Sequence, residues 1–128
     1  MKKMKLELIL ENQESMLIGR VSYNDNLIID SDRSLQKLEK KLKILLSEFD
    51  GLEPDKIEFE HFYDVYALFQ QFDFLKISKV AAHAGINAGL LRQYASQVKY
   101  PSANQAKKIE NTIHELAEQM LHASLYVA

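Results

Sequence analysis

Ile77-Ser78-Lys79-Val80-Ala81-Ala82-His83-Ala84-Gly85-Ile86-Asn87-Ala88-Gly89-Leu90-Leu91-Arg92-Gln93-Tyr94-Ala95-Ser96 is the stretch on which the reading of this chain turns. Its apolar residues recur at helical spacing on either side of a break, which predicts helices over 77–84 and 88–96. Two short helices that cross steeply need particular residues at fixed offsets. Ala81 is small where the helices approach each other. Gly85, four residues on, suits a turn that needs positive φ. Ile86 supplies an apolar plug, and Asn87 can cap the second helix. Leu91 and Tyr94 then share an inner face with Val80 and Ala84. Every internal position that a helix-turn-helix requires is filled by a residue of the right type.

The same spacing leaves Asn87, Ala88, Gly89, Arg92, Gln93 and Ser96 facing outward. In this motif the start and outer face of the second helix enter the major groove of duplex DNA. Arginine can bond guanine O6 and N7, glutamine or asparagine can bond adenine N6 and N7, and alanine offers a methyl contact to thymine. Gly89 permits close backbone approach, at a cost to the helix of about 1 kcal/mol relative to alanine. Lys76, Lys79, Lys99 and Tyr100 flank this helix as candidate phosphate contacts. The expected partner is double-stranded DNA. An ordinary helical hairpin would explain Ala81, Gly85, Ile86 and Leu91 through packing alone, but not an outer face of Asn, Arg, Gln and Ser without an acid.

Charge supports the same reading. The net charge is −2, but its distribution is uneven. Up to Phe74 there are fifteen acidic and ten basic residues; from Leu75 onward, six basic and three acidic. All six of those basic residues precede Glu110, so the stretch from Lys76 to Lys108 holds no negative side chain. Such a block is the footprint of a phosphate-facing surface.

Further along, Ser102 and Gln105 form a capping box that opens a helix over Ala103–Ala123. Ala106, Ile109, Ile113, Leu116 and Met120 repeat at three and four on it. Leu121, Leu125, Tyr126 and Val127 carry apolar character beyond what a small helical core needs. Ile109, Ile113, Leu116 and Met120 are therefore the candidate oligomerisation residues, for a dimer or tetramer of the chain.

Toward the N-terminus, Asp64–Phe72 reads as a short amphipathic helix. Ahead of it the period changes. Lys5–Glu11 and Met16–Tyr23 alternate as strands around the turn Asn12-Gln13-Glu14-Ser15, and Asn24-Asp25-Asn26 forms a second turn before the strand Leu27–Ile29. Ser31 and Asp32 are expected N-caps of the Leu35–Phe49 helix, which Gly51 ends. Ile57–Phe62 alternates as a fourth strand. The expected class is α+β, with a βββαβ sheet domain over 1–63 and an all-α domain over 64–128. At 128 residues the chain can fold as one unit or two small ones.

Other chemistry is poorly represented. The chain has no cysteine, which removes disulfides, thiolate metal sites and thiol nucleophiles. His61, His83, His114 and His122 lack metal-ligand spacing. Asp30 and Asp32 flank a strand end, but two acids do not assemble a two-metal site. No catalytic residue, metal or cofactor is expected, and the chain reads as a non-enzyme. No apolar run approaches the ~18–20 residues that cross a bilayer, and nothing resembles a signal peptide, so a cytoplasmic location is expected. Two other readings stand beside DNA binding: a module whose halves bind only proteins, and a metal-dependent nuclease using the N-terminal fold.

The stretch Lys76 to Leu116, with its Gln97-Val98-Lys99-Tyr100-Pro101-Ser102 connector, resembles Cro/Xre-type phage repressors. That resemblance implies Asn87, Ala88, Arg92 and Gln93 as base readers; Gln97 stands where the family often has glycine or a charged residue. The order Lys5–Glu11, Met16–Tyr23, Leu27–Ile29, Leu35–Phe49, Ile57–Phe62, followed by such a motif, resembles the HicB family of antitoxins. This second resemblance implies a truncated ribonuclease-H-like domain joined to a DNA-binding module, autorepression of an operon, and neutralisation of a small ribonuclease partner, a HicA-like toxin.

Overall fold

Alternating leucines at the start of the chain form the centre of a sheet whose strands come from both ends of the first unit. The computed structural model describes residues 2–127; Met1 and Ala128, the outermost residues of the two expected domains, lie outside the described residues. The fold is α+β. Its first part comprises β1 (Met4–Gln13), β2 (Met16–Tyr23), β3 (Asn26–Asp32), α1 (Leu35–Asp50), a 3-10 turn at Pro54–Lys56, β4 (Ile57–Tyr63) and α2 (Val65–Gln71). The chain divides into two compact units, residues 1–70 and 71–128, a later division than the Tyr63 boundary read from sequence. Asp64 caps α2, its Oδ1 accepting the Ala67 N–H at 2.7 Å.

The four strands lie in the order β3-β2-β1-β4. β1, β2 and β3 form an antiparallel meander, while β4 pairs with β1 in parallel, from Met4 opposite Ile57 to Leu10 opposite Tyr63. A parallel partner cannot be reached by a tight turn and needs a crossover; α1 supplies it. The turns are shorter than the polar stretches suggest. Asn12 and Gln13 pair with Leu17 and Met16, leaving Glu14 and Ser15 as the connection. Asn24 and Asp25 both take positive φ, 52° and 66°, and Asn26 already pairs with Tyr23.

Alternation places Leu6, Leu8, Leu10, Leu17, Val21, Ile28, Ile57 and Phe59 on the buried face, against Leu38, Leu42 and Leu46 of α1. Gly19 lies in that face because α1 comes close: a Cβ there would stand 3.0 Å from Leu38 Cδ2 and Leu8 Cδ1, and 3.1 Å from Leu42 Cδ1.

The cap of α1 is corrected by the structure. Ser34, not Ser31 or Asp32, is the N-cap, its Oγ accepting the Lys37 N–H at 3.3 Å. Ser31 and Asp32 continue β3, where they pair with Ile18 and Leu17. Asp32 acts one step back, accepting the Ser34 N–H at 3.0 Å and pairing with Lys41 at 3.1 Å. The Ser34 backbone bond, then the Lys41 bond and charge, hold its carboxyl below the ordinary value of 3.8. A depressed carboxylate stabilises the fold above its unfolded pKa and loses that contribution as pH falls through the folded one. The stability gap between the wild-type chain and Asp32→Asn should therefore be constant above about pH 5 and shrink below it. Acid titrations of both chains by circular dichroism check this.

Candidate nucleic-acid interface

The second unit contains α3 (Ile77–Ala84), α4 (Ala88–Ala95) and α5 (Ala103–Leu121), and α3 packs against both α4 and α5. Val80, Ala81, Ile86, Leu91, Tyr94 and Ile109 are its buried apolar residues, and Ala84 is half-buried. Gly85 ends α3 at φ 70°, ψ 33°, and the Ile86 N–H closes on the Ala81 carbonyl at 3.0 Å. Nothing lies within 4 Å of where a Gly85 Cβ would be. Backbone conformation therefore selects glycine here, not space.

Two further helices end in the same way. Gly51 takes φ 68° after α1, with the Leu52 N–H on the Leu46 carbonyl at 3.4 Å. Gln97 takes φ 67° after α4, with the Val98 N–H on the Gln93 carbonyl at 2.9 Å. Each positive-φ residue is followed by an apolar one, as in a Schellman ending. Gln97 bears the αL penalty of roughly 1–2 kcal/mol that glycine escapes. Gln97→Gly is expected to stabilise the second unit by about 0.5–1 kcal/mol, since glycine returns part of the gain as unfolded-chain entropy. Thermal melts of the two chains check this.

Asn87 caps α4, its Oδ1 accepting the Leu90 N–H at 3.2 Å. Ala88, Gly89, Arg92 and Gln93 follow on the helix, and Ser96 is its C-cap. Asn87, Gly89, Arg92 and Ser96 are exposed, whereas Ala88 and Gln93 are half-buried. The Gln93 carbonyl also accepts from Lys99 N at 3.2 Å and from Ser96 Oγ at 3.3 Å, which ties the loop after α4 to the helix. Lys76 is the residue before α3, and Lys79 lies in its first turn. Lys99 and Tyr100 lie in the connection to α5, and Tyr100 is 76% exposed. Val98, which the sequence reading left without a role, is 67% exposed beside them.

Among the described residues, Lys76, Lys79, Arg92, Lys99 and Lys108 form no ion pair; Lys107 is engaged by Glu110 at 2.8 Å. That hydrogen bond, then the ammonium charge, holds the Glu110 carboxyl below its ordinary value. The stretch from Lys76 to Lys108 thus combines uncompensated cations with a helix whose first turn carries no acid, a composition suited to anions.

α5 begins with Ser102 Oγ accepting the Gln105 N–H at 3.2 Å. The residues expected to mediate oligomerisation do not lie alike along it. Ile109 is buried, Ile113 and Leu116 are half-buried, and Met120 is 58% exposed. Beyond α5, Leu125, Tyr126 and Val127 are exposed.

Among the described residues, no group of three or more His, Asp or Glu is placed to hold a metal ion. No helix there is long and apolar enough to cross a membrane. In comparisons with known proteins, no family model, curated protein or solved structure matches the chain.

Proposed function

We propose that the second unit binds duplex DNA with α4 in the major groove, and that the chain is a cytoplasmic transcriptional regulator. The observation that carries this reading is the exposed face of Asn87, Gly89, Arg92 and Ser96, framed by unpaired lysines in a stretch without acids. Arg92 and Gln93 supply donors and acceptors to base edges; Lys76, Lys79 and Lys99 meet phosphates. A salt titration of binding to duplex DNA, read by fluorescence anisotropy, tests it. Releasing counterions at three lysines gives a log–log slope of about −3 per protomer. Weak binding that ignores salt would reject phosphate contact and favour a module that binds only proteins.

The regulator is proposed to be of the HicB antitoxin type, neutralising a small HicA-like ribonuclease and repressing its own operon. What supports this is the element order of the first unit: a three-stranded meander, a crossover helix, then a fourth strand. The test is the neighbouring reading frame. A short basic protein with one histidine on a double-stranded-RNA-binding-like fold, whose growth arrest this chain relieves, would support it. A neighbour of another kind would reject the antitoxin role and leave DNA binding standing. A second copy docking along Ile113, Leu116 and Met120 would present two reading helices to two half-sites.

A further inference from the structure

The side chains on the reading helix are not equally free to meet a base. Bidentate pairing with adenine requires an amide oxygen for N6–H and an amide nitrogen for N7 together. Asn87 Oδ1 is already turned into the first turn of α4, where it accepts the Leu90 N–H at 3.2 Å. Ser96 Oγ is turned inward too, donating to the Gln93 carbonyl at 3.3 Å. Arg92 differs from both, being exposed and without an ion pair or side-chain hydrogen bond among the described residues.

Helical side chains lean toward the N-terminal end, over the residues three and four positions earlier. For Arg92 those are Gly89 and Ala88, so nothing larger than a methyl group stands along its way to the leading end of α4. Gly89 also protects the cap, because a Cβ there would stand 3.1 Å from Asn87 Oδ1. Any side chain at this position would press on the capping oxygen and occupy the route open to Arg92.

Resting on the DNA-binding reading above, we propose that specificity is led by a guanine taken by Arg92. Asn87 is a positioning residue for α4, not an adenine reader. Gly89 determines specificity by leaving the route empty.

The test is selection from a pool of random duplexes by the full chain and its Asn87→Ser, Asn87→Ala and Arg92→Ala variants, each first checked for folding by circular dichroism. Serine caps a helix about as well as asparagine but lacks the amide. Asn87→Ser is expected to enrich the same bases as the wild type, with affinity within about threefold. Asn87→Ala, which loses the cap, is expected to bind all sequences roughly fivefold more weakly without changing their ranking. Replacing the selected guanine by 7-deazaguanine removes N7 and should weaken the wild type on the order of tenfold, while Arg92→Ala ignores the replacement. Loss of an adenine preference in Asn87→Ser, or full sensitivity of Arg92→Ala to 7-deazaguanine, would overturn the assignment. If the wild type retains duplex without enriching any sequence, the guanine assignment fails and the phosphate contacts stand; if it retains no duplex at all, the DNA-binding reading itself fails.

Discussion

Arg92→Ala is expected to lose about 1–3 kcal/mol of binding to a selected operator and little on random duplex DNA. Arg92 is exposed and unpaired within the described chain, so its removal leaves no buried charge behind, and the thermal midpoint should hardly move. Lys79→Ala is the matching control. It should weaken binding to every sequence alike and reduce the salt slope by about 1. Paired anisotropy titrations on operator and scrambled duplexes separate the two behaviours. An equal loss on both duplexes for Arg92→Ala would remove its role at a base edge.

The largest effect on stability is expected where α1 meets the sheet. Leu38 is fully buried, and Leu38→Ala should cost about 2–5 kcal/mol through lost burial and the cavity left behind. Gly19→Val acts in the opposite direction at the same place. Its Cβ would already stand 3.0 Å from Leu38 Cδ2, and overpacking of this kind typically costs about 1–3 kcal/mol. Because one substitution vacates the space the other fills, the double variant should be less destabilised than the sum of the two. Urea denaturation of the four chains, followed by far-ultraviolet circular dichroism, gives the coupling directly. Simple additivity would mean that α1 does not press on Gly19 as the contacts indicate.

Features set by neighbours along the chain were legible in the sequence. The periodicities of β2 and α3 give their bounds, and Gly85, Asn87 and Ser102 sit at the ends that their side chains or backbone freedom favour. What depends on distant partners was not. Alternation marks Ile57–Phe62 as a strand but is blind to which strand it joins, so its parallel pairing with β1 had no local signature. Ser31 and Asp32 looked like caps because short polar residues favour helix starts; pairing with Ile18 and Leu17 holds them in the sheet instead, and the cap passes to Ser34. In the candidate interface the exposure of Asn87, Gly89, Arg92 and Ser96 followed from spacing, whereas Ala88 and Gln93, expected to face outward too, are half-buried. The cap at Asn87 was legible as well, though not that it engages the very oxygen a base would need; the positive φ of Gln97 was not legible. Glutamine does not advertise a left-handed conformation. Val98 was the available clue, an apolar residue placed after a helix end as Leu52 and Ile86 are.

The parallel pairing of β1 with β4 sets an order of events during synthesis. β1 leaves the ribosome before β4, so its second edge waits for residues 57–63. Until then the meander carries an unpaired edge in the middle of the future sheet, the kind of edge that recruits other chains. Closing so long a loop is slow relative to forming the hairpins. A nascent chain stalled before Ile57 should therefore be the form most prone to aggregation and to capture by chaperones, and release of Tyr63 the moment at which that hazard ends.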